Sequence, residues 1–169
     1  MQDSGSVLGV DVGFSAKRKS SAVCRLDWDV NCVNWTIQRF RAHSEEQNAA
    51  ISNVGGNRLL EAAAFDGPLR RGLNLIGRYR TAERMLTRRL QAIGKPGQSN
   101  VPVGKKLNDA ANVCAQTTLT KCQVANAIHA VKIDDKSIAE AFPTAFLGLM
   151  LLNPSELATQ RNDRSDKYF

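Results

Sequence analysis

The chain has 169 residues, 43% of them hydrophobic, enough for one domain with a core of its own and too few for two. Charged residues make up 23% and no low-complexity tract breaks the chain, which argues against disorder. The longest apolar stretches, such as residues 145–152, fall far short of the roughly 20 residues of a membrane span. The opening MQDSGS lacks a basic start before an apolar run, so no signal peptide is expected and a single soluble cytoplasmic domain over 1–169 is.

Residues 6–12 (SVLGVDV) are an apolar run with β-branched side chains before a glycine. They predict a buried strand with Asp11 at its C-terminal end. Residues 14–21 (FSAKRKSS) read as a polar turn. Residues 22–28 then alternate, with Cys24, Leu26 and Trp28 on one face and Arg25 and Asp27 on the other. After a turn at 29–31, Val33, Trp35 and Ile37 alternate against Asn34, Thr36 and Gln38. The first forty residues therefore predict a three-stranded antiparallel meander.

The period then changes. Ser44 followed by Glu45 and Glu46 marks a helix start, the helix running to about Val54 before Gly55-Gly56. Residues 59–65 (LLEAAAF) fit helix or strand, and the abrupt stop at Asp66-Gly67-Pro68 favours a buried strand for the second half. Tyr79, Ala82, Leu86, Leu90 and Ile93 recur at helical steps and predict an amphipathic helix over 80–93. Residues 94–104 are a loop, and Leu107, Ala111, Cys114, Val124 and Ile128 suggest one or two helices to about His129. Residues 136–141 (KSIAEA) predict a last short strand carrying Glu140, before a helix opened by Phe142-Pro143. A meander followed by alternating helices and strands is an α/β pattern: a mixed central sheet flanked by helices.

The net charge of +7 is unevenly placed. Between Gly67 and Lys106 stand ten basic residues, among them Arg70, Arg71, Arg80, Arg84, Arg88 and Arg89, opposed by Glu83 alone. Arg80, Arg84 and Arg88 step by four and share one helix face. Such a stripe suits a polyanion, nucleic acid above all, although a solvated helix face is the usual meaning of surface charge. The triplet Lys17, Arg18 and Lys19 after the first strand could touch phosphate or be a solvated hairpin tip. The four cysteines form no C-x-x-C pair, and with only His43 and His129 to help them they read as reduced thiols.

Three acids share a context. Asp11 ends an apolar strand, Asp66 follows Ala62-Ala63-Ala64-Phe65, and Glu140 precedes a proline turn. A carboxylate among buried apolar segments is costly without compensation. Acids delivered from several strand ends to one point suit Mg²⁺ or Mn²⁺, and two such ions can hold a phosphodiester for attack by water. Turn and capping acids give the same spacing. His129 is read as a packed or capping residue before a proton donor, and His43 carries no functional expectation.

Four segments occur in order: GVDVG (9–13), FDGPL (65–69), RTAERML (80–86) and EAFP (140–143). Together they resemble a family of predicted nucleases with an RNase H-like fold, whose members carry a strand-end Asp, an IDAPL-like strand, an R-x-x-E segment and a late E-x-x-P. The resemblance spans residues 7 to about 150. It implies an RNase H-like sheet, an antiparallel three-stranded meander followed by parallel strands. It also implies that Asp11, Asp66 and Glu140 are catalytic Mg²⁺ or Mn²⁺ ligands, with Arg80 and Glu83 facing the site or orienting substrate. Gly67 stands where the family more often has Ala. RNase H-like nucleases generally add an acid from a C-terminal helix, whereas residues 161–169 are a polar tail in which Asp163 and Asp166 are the only candidates.

The leading expectation is thus a metal-dependent nuclease gripping nucleic acid through Arg70, Arg71, Arg80, Arg84 and Arg88. The alternative is an inactive RNase H-like nucleic-acid-binding domain. An actin-like ATP-binding domain needs a far longer chain, and a Holliday-junction-resolvase-like protein would not explain FDGPL or EAFP. No membrane partner is expected. Apolar surface over 146–152, left bare by a short C-terminus, would favour a homodimer.

Overall fold

In a computed structural model of the chain the structure describes residues 3–69, 104–125 and 137–141, with isolated positions at 85, 88, 89, 91 and 92. Two compact units are distinguished, one formed by residues 1–76 and 103–141, the other by 77–102 and 142–169. The isolated positions belong to the second unit and are helical, as the sequence predicts for 80–93; Arg88 and Arg89 are exposed there. The predicted loop over 94–104 and the helix after Phe142 lie almost wholly outside the described residues, as does the 146–152 patch.

The first unit is an α/β structure. Strands β1 (Gly5–Asp11), β2 (Ser21–Trp28) and β3 (Val33–Phe40) form the expected antiparallel meander. Helix α1 (Ser44–Gly55) follows, with Glu45 and Glu46 in its first turn, where the helix dipole favours negative charge. It stops at Gly56, whose φ of +61° suits a residue without Cβ. Then come β4 (Leu59–Leu60), β5 (Ala62–Asp66), helix α2 (Gly104–Lys121), β6 (Gln123–Val124) and β7 (Ile138–Glu140).

Five strands form one mixed sheet in the order β3-β2-β1-β5-β7, with β5 parallel to both β1 and β7. Helix α1 packs on β2 and β3, α2 on β5, and the helices on each other. The core is Leu8, Val10, Val23, Ala63, Phe65 and Ile138 from the sheet against Ala50, Ile51, Val54, Ala111, Cys114 and Ala115 from the helices. Between the helices, the Gln47 amide donates to Thr117 Oγ1 at 3.2 Å. Among the described residues no helix is long and apolar enough to cross a membrane.

Two features depart from a simple reading of the pattern. Helical spacing would carry α2 past Val124, but the helix ends at Lys121 and Val124 lies in β6. Beside β4, the Ala125 N–H donates to the Leu60 carbonyl at 2.7 Å, a tertiary pairing that helical propensity cannot anticipate. The second departure is in the meander. Its alternation is right, but the packed face is the one that carries Arg25 and Asp27. Val33, Trp35 and Ile37 point away from the core, Trp35 being 67% exposed.

That inversion is possible because the polar pair is satisfied. Arg25 donates to the Val54 and Gly55 carbonyls at 2.8 and 3.3 Å, closing the C-terminal end of α1. Its Nε donates to Asp27 at 2.9 Å, and Ser6 Oγ donates to the other Asp27 oxygen. Desolvation pushes the Asp27 carboxyl up. The Ser6 and Arg25 hydrogen bonds, with the Arg25 and Arg58 charges, outweigh it and hold Asp27 below the usual aspartate range.

Candidate carboxylate site

Parallel pairing of β1 with β5 sets Asp11 beside Asp66, one at the C-terminal end of each strand. Neighbouring strands lie about 4.8 Å apart, and residues in register point to the same face. Alternation turns both acids to the face opposite Val10 and Phe65, which are buried. Two like charges thus share one rim, Asp66 half-buried and Asp11 exposed.

The electrostatics follow. Burial pushes the Asp66 carboxyl up, the neighbouring Asp11 charge adds to it, and Asp66 reaches about 6. Burial raises Asp11 as well, but the Arg39 guanidinium opposes the shift. Arg39 is the residue that sequence reasoning missed. It is three strands from Asp66, and only the register Asp66–Asp11–Ala22–Arg39 brings it to the rim. The sole signal in the sequence was the hairpin turn at 29–31, which fixes that register.

Glu140 is brought to the same end of the sheet but not to the pair. It is in register with Phe65, one residue short of Asp66, and so alternates to the other face. Its Oε1 accepts the Leu69 backbone N–H at 2.6 Å. The turn that carries Asp66 is held from both sides, because Asn108 Nδ2 donates to the Pro68 carbonyl at 2.8 Å. Gly67 allows this close approach, since a Cβ there would stand 2.9 Å from the Ala111 Cβ.

Among the described residues, no three His, Cys, Asp or Glu side chains form a group that could hold a metal. Asp11 and Asp66 remain as a pair, and a pair suffices for Mg²⁺, which commonly takes one or two carboxylates and keeps several waters. A mutually repelling carboxylate pair at adjacent strand ends is a donor set such a hard cation would fit.

The other predicted residues fall elsewhere. Arg70, Arg71, Arg80, Glu83, Arg84, His129, Asp163 and Asp166 lie outside the described residues, and Arg88 is an exposed helical position. His43 precedes α1 as its N-cap, with no side-chain capping bond. All four cysteines are free thiols, and burial pushes Cys114 up to about 12, which keeps it an inert thiol. Comparison of the chain with protein-family models, curated proteins and solved structures gave no match.

Proposed function

We propose that the chain is a divalent-metal-dependent nuclease of RNase H-like fold. The observation that carries this reading is the juxtaposition of Asp11 and Asp66 at the C-terminal ends of adjacent parallel strands. Three antiparallel strands followed by two parallel ones, in the order β3-β2-β1-β5-β7, support it, being the arrangement the resemblance implies. Fold alone does not specify a reaction.

In this reading Asp11 and Asp66 hold Mg²⁺ or Mn²⁺, which supplies an activated water and charge stabilisation at a phosphodiester. Arg39 offsets part of the negative charge of the rim and opposes the upward shift of Asp11. Glu140 positions the 66–69 turn, and so Asp66, through the Leu69 N–H. The basic stretch with Arg70, Arg71, Arg80, Arg84 and Arg88 grips the nucleic-acid backbone.

A second reading, nucleic-acid binding without cleavage, is favoured by the turn-bound Glu140, which leaves Asp11 and Asp66 as the acids of the site among the described residues. One experiment separates the two. Labelled single-stranded, duplex, hybrid and branched substrates are incubated with Mg²⁺ or Mn²⁺, with Asp11→Asn in parallel. Cleavage that needs the metal and falls at least a hundredfold in Asp11→Asn is the expected outcome. Salt-sensitive binding with no cleavage would select the second reading, and neither would refute both.

A further inference from the structure

The rim beside Asp11 carries a loop that the carboxylate pair does not use. Between β1 and β2 the chain displays Lys17, Arg18 and Lys19 in succession, all exposed. A solvated hairpin tip needs no internal order. This one is fastened throughout.

At its neck the buried Ser21 hydroxyl accepts the Gly13 N–H at 3.1 Å and lies 3.3 Å from the Gly13 carbonyl. A Cβ on Gly13 would collide with Ser20, so the two limbs approach as only glycine allows. At the tip Ser15 Oγ accepts the Lys17 and Arg18 N–H groups at 3.3 and 3.1 Å. Two ties run to β3 and its end: Arg39 donates to the Lys19 carbonyl at 3.0 Å, and Ala42 N–H to the Ser15 carbonyl at 2.9 Å.

The cations so displayed are not equivalent. The Lys19 ammonium faces Glu46 at 3.8 Å, and Arg41 shares that carboxylate at 3.7 Å. Lys17 and Arg18 form no ion pair with a described residue. Ordering a backbone costs conformational entropy, and placing like charges side by side costs electrostatic energy. An anion bound at the loop relieves the second cost, and the fixed backbone presents the two side chains from a constant base.

We propose that the β1–β2 loop is a phosphate-binding site, in which Lys17 and Arg18 take a backbone phosphate of a nucleic-acid strand lying across the Asp11–Asp66 end of the sheet. This rests on the nuclease reading only in the identity of the ligand. The site lies in the connection that leaves the β1 end carrying Asp11.

The test is the salt dependence of duplex DNA binding by the full chain, in chelator so that no strand is cut, read by fluorescence anisotropy. Each phosphate contact contributes about 0.9 to the slope of log affinity against log salt. Lys17→Ala/Arg18→Ala is expected to make the slope shallower by about 1 and to weaken low-salt binding by roughly tenfold. Arg58→Ala, which removes one charge near Asp27 at the other end of β1, is expected to leave the slope unchanged. Parallel slopes for wild type and the double variant would overturn the loop site while leaving nucleic-acid binding standing. An equal loss in Arg58→Ala would also overturn it, as a net-charge effect. No binding by the wild-type chain would remove the loop site and the nucleic-acid reading together.

Discussion

Asp66 is a carboxyl kept partly protonated at mildly acidic pH by its place in the fold. Its folded-state pKa of about 6 lies above the ordinary aspartate value of 3.8. Between those values the folded chain holds a proton that the unfolded chain has lost. The contribution of this group to stability is therefore fully present below about pH 4 and is lost as pH rises towards 6 and beyond. Asp66→Asn removes that dependence. Chemical denaturation of both proteins from pH 4 to 7 should show the variant gaining on the wild type as pH rises. A constant difference would mean that Asp66 is not raised. Asp27 has the opposite sign, since its lowered pKa adds stability that is lost as pH falls, so the comparison must be between variants and not within one curve.

Glu140 poses a sharper question at the same scale. Its Oε1 accepts the Leu69 N–H, a role that an amide oxygen can also fill. Glu140→Gln should therefore keep any metal-dependent cleavage within about tenfold, whereas Glu140→Ala should lower stability by roughly 1 kcal/mol through the unmade, part-buried bond. If Glu140→Gln abolishes such cleavage as fully as Asp11→Asn does, Glu140 does more than accept the Leu69 N–H. The sequence placed Glu140 correctly at a strand end. It could not show the offset of one residue between β7 and β5, and that single residue decides the face.

At the scale of elements, the meander and α1 were legible because their signals are local: alternation, a tight turn, and two acids at a helix start. What stayed hidden was which face of the meander packs. Apolar alternation ordinarily turns Leu26, Trp35 and Ile37 inward, yet the structure turns the half-buried Arg25 and Asp27 to the packed face. The reason is non-local, because Arg25 serves carbonyls about thirty residues further along the chain. Arg25→Ala should accordingly cost roughly 2–4 kcal/mol in equilibrium unfolding, as it strips the last carbonyls of α1 and leaves Asp27 with a weaker cation. Arg58→Ala, whose guanidinium is 66% exposed and 3.6 Å from Asp27, should cost less than about 1 kcal/mol. Comparable losses would show that the cap on α1 is not what Arg25 contributes. The strands β4 and β6 were unreadable for the same kind of reason. Two residues carry no period, and only their pairing with each other defines them.

Across the whole molecule, charge and fold were legible to different depths. The α/β class followed from the change of period after residue 40, and Asp11 and Asp66 followed from apolar runs that end in an acid. Their meeting did not, because no local pattern states that β5 pairs with β1 and not with β3. The surplus of basic residues was plain, but its meaning depends on what each cation already faces. Lys19 and Arg41 are engaged by Glu46, Arg25 by Asp27, while Lys17 and Arg18 have no described partner.

The central strand also sets an order of assembly. One edge of β1 pairs with β2 through a short hairpin, whereas its other edge must wait for β5, some fifty residues later in the chain. Local pairings close quickly and distant ones slowly, because longer loops cost more entropy to close. The β1–β5 seam is therefore a late contact. Asp11 and Asp66 meet only when it zips, so their mutual repulsion burdens the closing step and spares the meander. The charge state of the rim is thereby tied to the kinetics by which the sheet is completed.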